Sequence, residues 1–169
     1  MAIHRLDILG APTLPDTSGN VYAEPAAVNF QANDRYPNLV FVFADTATRD
    51  TLGFAFQVPQ NYVGTPKIGL IWATTATAGN AQWEVDLTSV ADGESGDPSA
   101  DQEAITATVA APGTARLLKF SELTFTGSTF AAGDWVMGVI ARDGAAAGPL
   151  DTIAASLYLL GAFFSYADA

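Results

Sequence analysis

The sequence predicts an all-β protein, an antiparallel eight-stranded jelly-roll sandwich with an extended N-terminal arm. Three observations lead there. Apolar and polar residues alternate with a period of two in segment after segment, turn-forming residues punctuate these segments at short intervals, and no stretch has the periodicity of an amphipathic helix. The 169 residues are enough for one sandwich with a real core and too few for two ordinary domains.

Residues 1–37 carry Pro12, Pro15, Pro25 and Pro37 among isolated apolar residues, a pattern that regular elements tolerate poorly. This segment is expected to be an extended arm, with the sandwich spanning residues 38–169. The first strand after it is 39–43, Leu-Val-Phe-Val-Phe. In the second, Leu52, Phe54, Phe56 and Val58 share one face and Gly53, Ala55 and Gln57 the other. Ile68, Leu70 and Trp72 repeat the pattern. Trp83, Val85 and Leu87 alternate with Gln82, Glu84, Asp86 and Thr88, the signature of an antiparallel strand with one face in water. Ile105, Ala107 and Val109 alternate with Thr106 and Thr108.

Segment 115–125 changes phase, with Leu118 and Phe120 on one parity and Leu123 and Phe125 on the other. A bulge or a split into two strands is expected near Ser121-Glu122. Segments 134–142 and 152–166 complete the set. Like 39–43, both are apolar on both faces, as expected of strands covered by an arm or a neighbouring subunit as well as by their own core. Turn signals fall at Pro59 to Pro66, Ala78-Gly79-Asn80, 92–101, Pro112-Gly113, Ala132-Gly133 and Asp143 to Pro149. Eight strands is the jelly-roll number.

Eighteen acidic residues face seven basic ones, for a net charge of -11, and Arg5, Arg35, Arg49, Lys67, Arg116, Lys119 and Arg142 are scattered singly. Such a surface repels phosphate backbones and anionic lipids, so neither nucleic acid nor membrane is an expected partner. There is no cysteine, hence no disulfide framework and no thiolate metal site. The start, from Met1 to Asp7, lacks the apolar segment of a secretory signal, and the run from Ile153 to Phe164 is far shorter than the ~20 residues of a membrane-spanning helix.

Catalysis through histidine would rest on His4, the single histidine, in the presumed arm. A cupin-like metal site needs several histidines on inward-facing strands, which this chain lacks. Glycoside hydrolysis needs only two carboxylates held ~5 to ~9.5 Å apart, yet Glu84, Asp86 and Glu122 fall where a solubilising charge is the simpler reading. The stretch from Asp92 to Glu103 is rich in carboxylates but does not follow the EF-hand spacing, and a solvated loop is expected rather than a calcium site. No catalytic residue, metal or cofactor is therefore assigned. Trp72, Trp83 and Trp135, with Tyr62 and Tyr158, form a possible sugar platform, but all three tryptophans share parities with Leu, Val and Ile and are expected in the core or at a subunit contact.

Several strings, taken in order, carry a resemblance. These are Gly53-Phe-Ala-Phe-Gln-Val-Pro59-Gln-Asn-Tyr62, Ile68-Gly-Leu-Ile-Trp72, Ala81-Gln-Trp83-Glu-Val-Asp86, Asp134-Trp-Val-Met-Gly-Val-Ile-Ala-Arg142-Asp, Leu150-Asp-Thr-Ile and Leu159-Leu-Gly-Ala-Phe-Phe-Ser-Tyr166. Residues 39–167 thus resemble small structural proteins of tailed bacteriophages, the jelly-roll head decoration (cement) and fibre modules. The resemblance implies a homotrimer made in the host cytoplasm and carried on the capsid exterior, bound to the major capsid protein or to a fibre base, and non-enzymatic. In that reading Ile3, Arg5, Leu6, Ile8 and Leu9 of the arm grip the partner, and removal of residues 1–20 leaves a folded trimer that no longer attaches. The alternative reading is a tail or head fibre module that binds a host receptor or glycan.

Overall fold

Each alternating segment is a strand, because β-branched and aromatic residues on one parity can be buried together only if the chain is extended. The computed structural model describes residues 2–9, 21–29, 37–45, 48–95, 103–127, 130–142 and 150–168. Three short strands come first, β1 (Ile3–Asp7), β2 (Val21–Tyr22) and β3 (Glu24–Asn29). Eight more follow: β4 (Pro37–Phe43), β5 (Asp50–Gln57), β6 (Tyr62–Thr74), β7 (Asn80–Val90), β8 (Glu103–Ala110), β9 (Lys119–Thr124), β10 (Trp135–Arg142) and β11 (Leu157–Asp168).

These last eight are the eight expected strands, and their order defines the fold. One sheet runs β4-β11-β6-β9 and the other β5-β10-β7-β8, so the chain passes back and forth between two layers as a jelly roll does. Pairing is antiparallel throughout except for the two-residue contact of β2 with β5. Between the layers lie Phe43, Leu52, Phe54, Phe56, Ile68, Leu70, Trp72, Trp83, Val85, Leu87, Leu123, Val136, Ile140, Leu159 and Phe164, the inward parity of each strand. Trp72 and Trp83 meet edge to face with centroids 5.8 Å apart, and the Trp72 indole N–H donates to Ser121 Oγ at 3.0 Å. Gly138 gives the Phe54 ring its place, since a Cβ there would stand 2.4 Å from Phe54 Cζ.

Two expectations are corrected. Residues 3–9 are extended, as foreseen for an arm, but they are part of the sandwich. β1 pairs antiparallel with β11 from Ile3↔Ala167 to Asp7↔Phe163, and Ile8 is 1% exposed within the core. β3 likewise pairs with β4 across Pro25↔Phe41. Proline is compatible here because β3 is an edge strand and Pro37 is the first residue of β4, places where no ladder hydrogen bond is lost. The remainder of the expected arm, residues 10–20 and 30–36, lies outside the described residues.

Nor is there a bulge at Ser121-Glu122. β9 keeps unbroken register with β6 from Lys67↔Thr124 to Trp72↔Lys119. The phase change arises because Leu118 and Phe120 point away from the core. The irregularities fall instead in the β6–β11 pairing, between Leu159 and Gly161 and between Ser165 and Ala167.

Candidate functional site

With the core accounted for, function must lie on the two outer faces and the strand ends. On the sheet containing β10, the outward residues form rows across three strands. Gln57, Trp135 and Val90 make the first row, Ala55, Met137 and Thr88 the second, Gly53, Val139 and Asp86 the third, and Thr51, Ala141 and Glu84 the fourth. Trp135 remains 48% exposed, so the face is aromatic at one end and charged at the other.

At the aromatic end an open depression of about 620 Å³ is lined by Trp135, Met137, Val90 and Gln57 and by the turn Ala91-Asp92-Gly93-Glu94. The turn is closed by the Glu94 N–H donating to the Ala91 carbonyl at 3.1 Å and by the Ala91 N–H donating to Glu94 Oε2 at 2.9 Å. The Gln57 amide is oriented by donating to the Gly133 carbonyl at 3.1 Å.

At the charged end Arg49 reaches across from the β4–β5 connection. Its Nη2 lies 2.6 Å from Asp86 Oδ2 and 2.9 Å from Glu84 Oε1, so one cation serves two carboxylates. Burial and the adjacent Asp86 charge lift the Glu84 carboxyl above its ordinary range, and the opposing pull of Arg49 does not cancel them. Burial by itself would lower the Arg49 guanidinium, but its two acidic partners raise it. The folded form therefore holds the Glu84 proton more tightly than the unfolded chain does. Whatever stability Glu84 contributes is complete below its unfolded value and is lost as pH rises through the raised folded value. Glu84→Gln is accordingly expected to melt higher than the parent at pH 7.5, with the gain shrinking as pH falls toward the ordinary value of 4.5. Thermal denaturation across that range checks this, and a variant that melts lower at pH 7.5 would show that the ion pair outweighs the burial.

The outer face of the other sheet is apolar where β9 begins, and farther along the strand Glu122 and Thr124 face out, with Lys67 Nζ 3.7 Å from Glu122 Oε2. Leu117, Leu118 and Phe120 are 50%, 51% and 59% exposed, and Phe120 is registered beside Ile71, itself beside Gly161. Phe163 lies flat across Gly69, where a Cβ would be 2.1 Å from its ring, and the Arg5 guanidinium carbon stands 4.5 Å from the ring centroid. A groove of about 260 Å³ runs between Arg5, Asp7, Ile71, Gly161 and Phe163.

At the strand ends, Arg142 of β10 is fully buried and pairs bidentately with Asp151, at 2.9 Å from Nε and 3.0 Å from Nη2. Its remaining donors reach the carbonyls of Ile153, Ala155 and Phe43. This group is structural, since no solvent reaches it.

The residues singled out by sequence separate clearly. Ile8 is core, Leu6 and Leu9 pack against the core, Arg5 covers Phe163, and Ile3 is 78% exposed on the β1 edge. Trp72 and Trp83 are core, whereas Trp135, sharing the outward parity of Met137 and Val139, is not. His4 stacks on Tyr166 and contacts Asp168 at 3.1 Å. Hydrogen bonds from His4 and the Ala2 backbone hold the Asp168 carboxyl below its usual range. Tyr62 and Tyr158 are half-buried. Among the described residues no group of three or more His, Asp or Glu converges as a metal site, and residues 96–102 of the acidic stretch lie outside them. No helix among them is long and apolar enough to cross a membrane. Sequence reasoning missed the Leu117, Leu118 and Phe120 patch, although the phase change was its signal.

No family model and no curated protein matches this chain. Among solved structures it is similar to TmCBM61 in complex with beta-1,4-galactotriose, at 9% identity over 96% of this chain and 86% of that one, TM-score 0.41. It is also similar to the CBM36-1 domain of a multidomain xylanase from the hindgut metagenome of Trinervitermes trinervoides, at 10% identity over 99% of this chain and 98% of that one, TM-score 0.41. A family 16 carbohydrate-binding module is similar at 14% identity over 75% of each chain, TM-score 0.39. No residue role is carried across from these proteins. The jelly-roll assignment rests on this chain's own strand order.

Proposed function

We propose that this chain is a non-enzymatic structural module of a bacteriophage virion, a jelly roll that assembles as a trimer and seats on the outer surface of the capsid. One observation carries the reading: Leu117, Leu118 and Phe120 stand exposed together at one sheet edge and continue inward to Ile71. Contiguous apolar surface of this kind marks a contact with other protein, because a soluble monomer gains nothing by exposing it. The strongly acidic remainder of the surface keeps the assembled particle soluble and repels nucleic acid. The resemblance of residues 39–167 to phage decoration and fibre proteins suggests the kind of assembly. Residues 3–9 are committed to the sheet, so the apolar patch is assigned to the contact between copies, and seating on the capsid depends on it because three linked copies bind together where one does not.

Sedimentation equilibrium tests the reading. The parent protein is expected to be a trimer, and Leu118→Asp with Phe120→Asp to be a folded monomer with unchanged circular dichroism. The same pair of substitutions is expected to abolish co-sedimentation with phage particles stripped of this protein. A parent that stays monomeric at high concentration and binds no particle would overturn the proposal.

A further inference from the structure

We propose that the depression beside Trp135 is a binding site for a neutral saccharide chain. It is independent of the assembly patch, because it lies on the outer face of the opposite sheet.

Trp135 carries the argument. An indole left 48% exposed at the centre of a three-strand row, when Trp72 and Trp83 of the same chain are wholly buried, is a flat apolar plate facing solvent. The plate is not isolated. Met137 and Val90 extend it along and across the sheet, and Met137 is flanked in its row by the small Ala55 and Thr88, which leaves the floor low. The volume of about 620 Å³ is in the range that holds a short chain of sugar rings rather than one small ion. Aromatic plates of this kind bind ligands that present a flat face of C–H groups with polar groups around the edge, which is the anatomy of a pyranose ring.

The rim supplies the complementary polar groups. Asp92 and Glu94 stand on one side as acceptors for hydroxyl donors, and the Gln57 amide stands on the other, oriented through Gly133. Gly93 takes a left-handed backbone conformation, with φ of 86°, and a Cβ there would meet nothing within 4 Å, so the turn presents backbone and carboxylates without a side chain blocking the entrance. Two carboxylates, with no basic residue among the described lining residues, repel uronates and other anionic sugars, which favours a neutral ligand. A basic peptide is the chief rival occupant. It fits less well, because the floor is an apolar plate of Trp135, Met137 and Val90 that offers a peptide ammonium no acceptor, with the carboxylates confined to the rim.

Tryptophan fluorescence reads the site directly, since Trp135 is exposed and the other two indoles are buried. The full-length protein is titrated with neutral hexasaccharides of glucose, mannose and N-acetylglucosamine units, with polygalacturonate and with poly-lysine. At least one neutral hexasaccharide is expected to give a saturable shift. Trp135→Ala and Trp135→Phe remove the reporting indole, so their binding is read by titration calorimetry, where Trp135→Ala should be weaker than the parent by about ten-fold or more, as loss of one stacking plate makes it, and Trp135→Phe should retain part of the affinity. Asp92→Asn should weaken neutral binding and relax the exclusion of polygalacturonate. The proposal is overturned if no neutral saccharide shifts the emission, if Trp135→Ala binds like the parent, or if poly-lysine alone binds. It is also overturned if Trp135→Ala dissociates the trimer without touching saccharide binding, which would make Trp135 a subunit contact. Sedimentation of each variant keeps these outcomes apart from failure of the virion reading, which concerns the other face.

Discussion

Arg142→Met is expected to destabilise the fold by about 3–5 kcal/mol, the cost of stranding one partner of a buried ion pair. The reason lies in how completely the guanidinium is used. Two nitrogens hold both Asp151 oxygens, and the same fork donates to the carbonyls of Phe43, Ile153 and Ala155. Without it, Asp151 is left as a buried charge whose partners among the described residues are the Gln82 and Ile153 N–H groups, and three carbonyls lose a donor. For a chain of this size that loss lowers the melting temperature by roughly 6–20 °C. Arg142→Lys should not rescue it, because a single ammonium cannot reproduce the planar fork. Adding Asp151→Leu to Arg142→Met should recover part of the stability by removing the stranded charge. Urea unfolding of the three variants measures this, and a cost below about 1 kcal/mol for Arg142→Met would show the pair to be energetically neutral.

Deleting residues 1–9 is the second large effect, and here the structure reverses what the sequence suggests. A free arm could be removed without harm to the fold. In the folded chain the deletion strips β1 from β11, exposing the β11 backbone from Phe163 to Ala167, and empties the place of Ile8 in the core. Loss of the Ile8 side chain alone costs about 2–5 kcal/mol, and the bared strand becomes a template for aggregation. The truncated protein is expected to unfold at clearly lower urea and to scatter light on warming. Ile8→Ala should reproduce the stability loss without the aggregation. A truncation with the parent's unfolding midpoint would restore the view of these residues as an independent arm.

The strand set was legible because alternation is a local property: Leu52-Phe54-Phe56 and Trp83-Val85-Leu87 announce both the strand and its buried face. The prolines misled because their effect depends on position within a sheet, and nothing local says that Pro25 will fall on an edge strand. Which face Trp135 takes was hidden for a related reason. In Trp135–Arg142 both parities are apolar, so the pattern leaves open which one faces inward. Only the pairing with β5 and β7 shows that Val136 and Ile140 are core and that Trp135, Met137 and Val139 face out. The role of Arg142 was unreadable too, since its partners come from Phe43, Asp151, Ile153 and Ala155, which only the folded topology gathers.

The place of β11 bears on how the molecule comes into being. This strand joins β1, β4 and β6, yet among the described strands it comes last in sequence. Until residues 157–168 have left the ribosome, one layer is missing the strand through which its first and middle members connect, and the nascent chain carries unpaired edges. Closure over such long stretches of sequence is slow. Closure of the sandwich is therefore a late, concerted event, and the growing polypeptide depends on chaperones to escape self-association before residues 157–168 arrive.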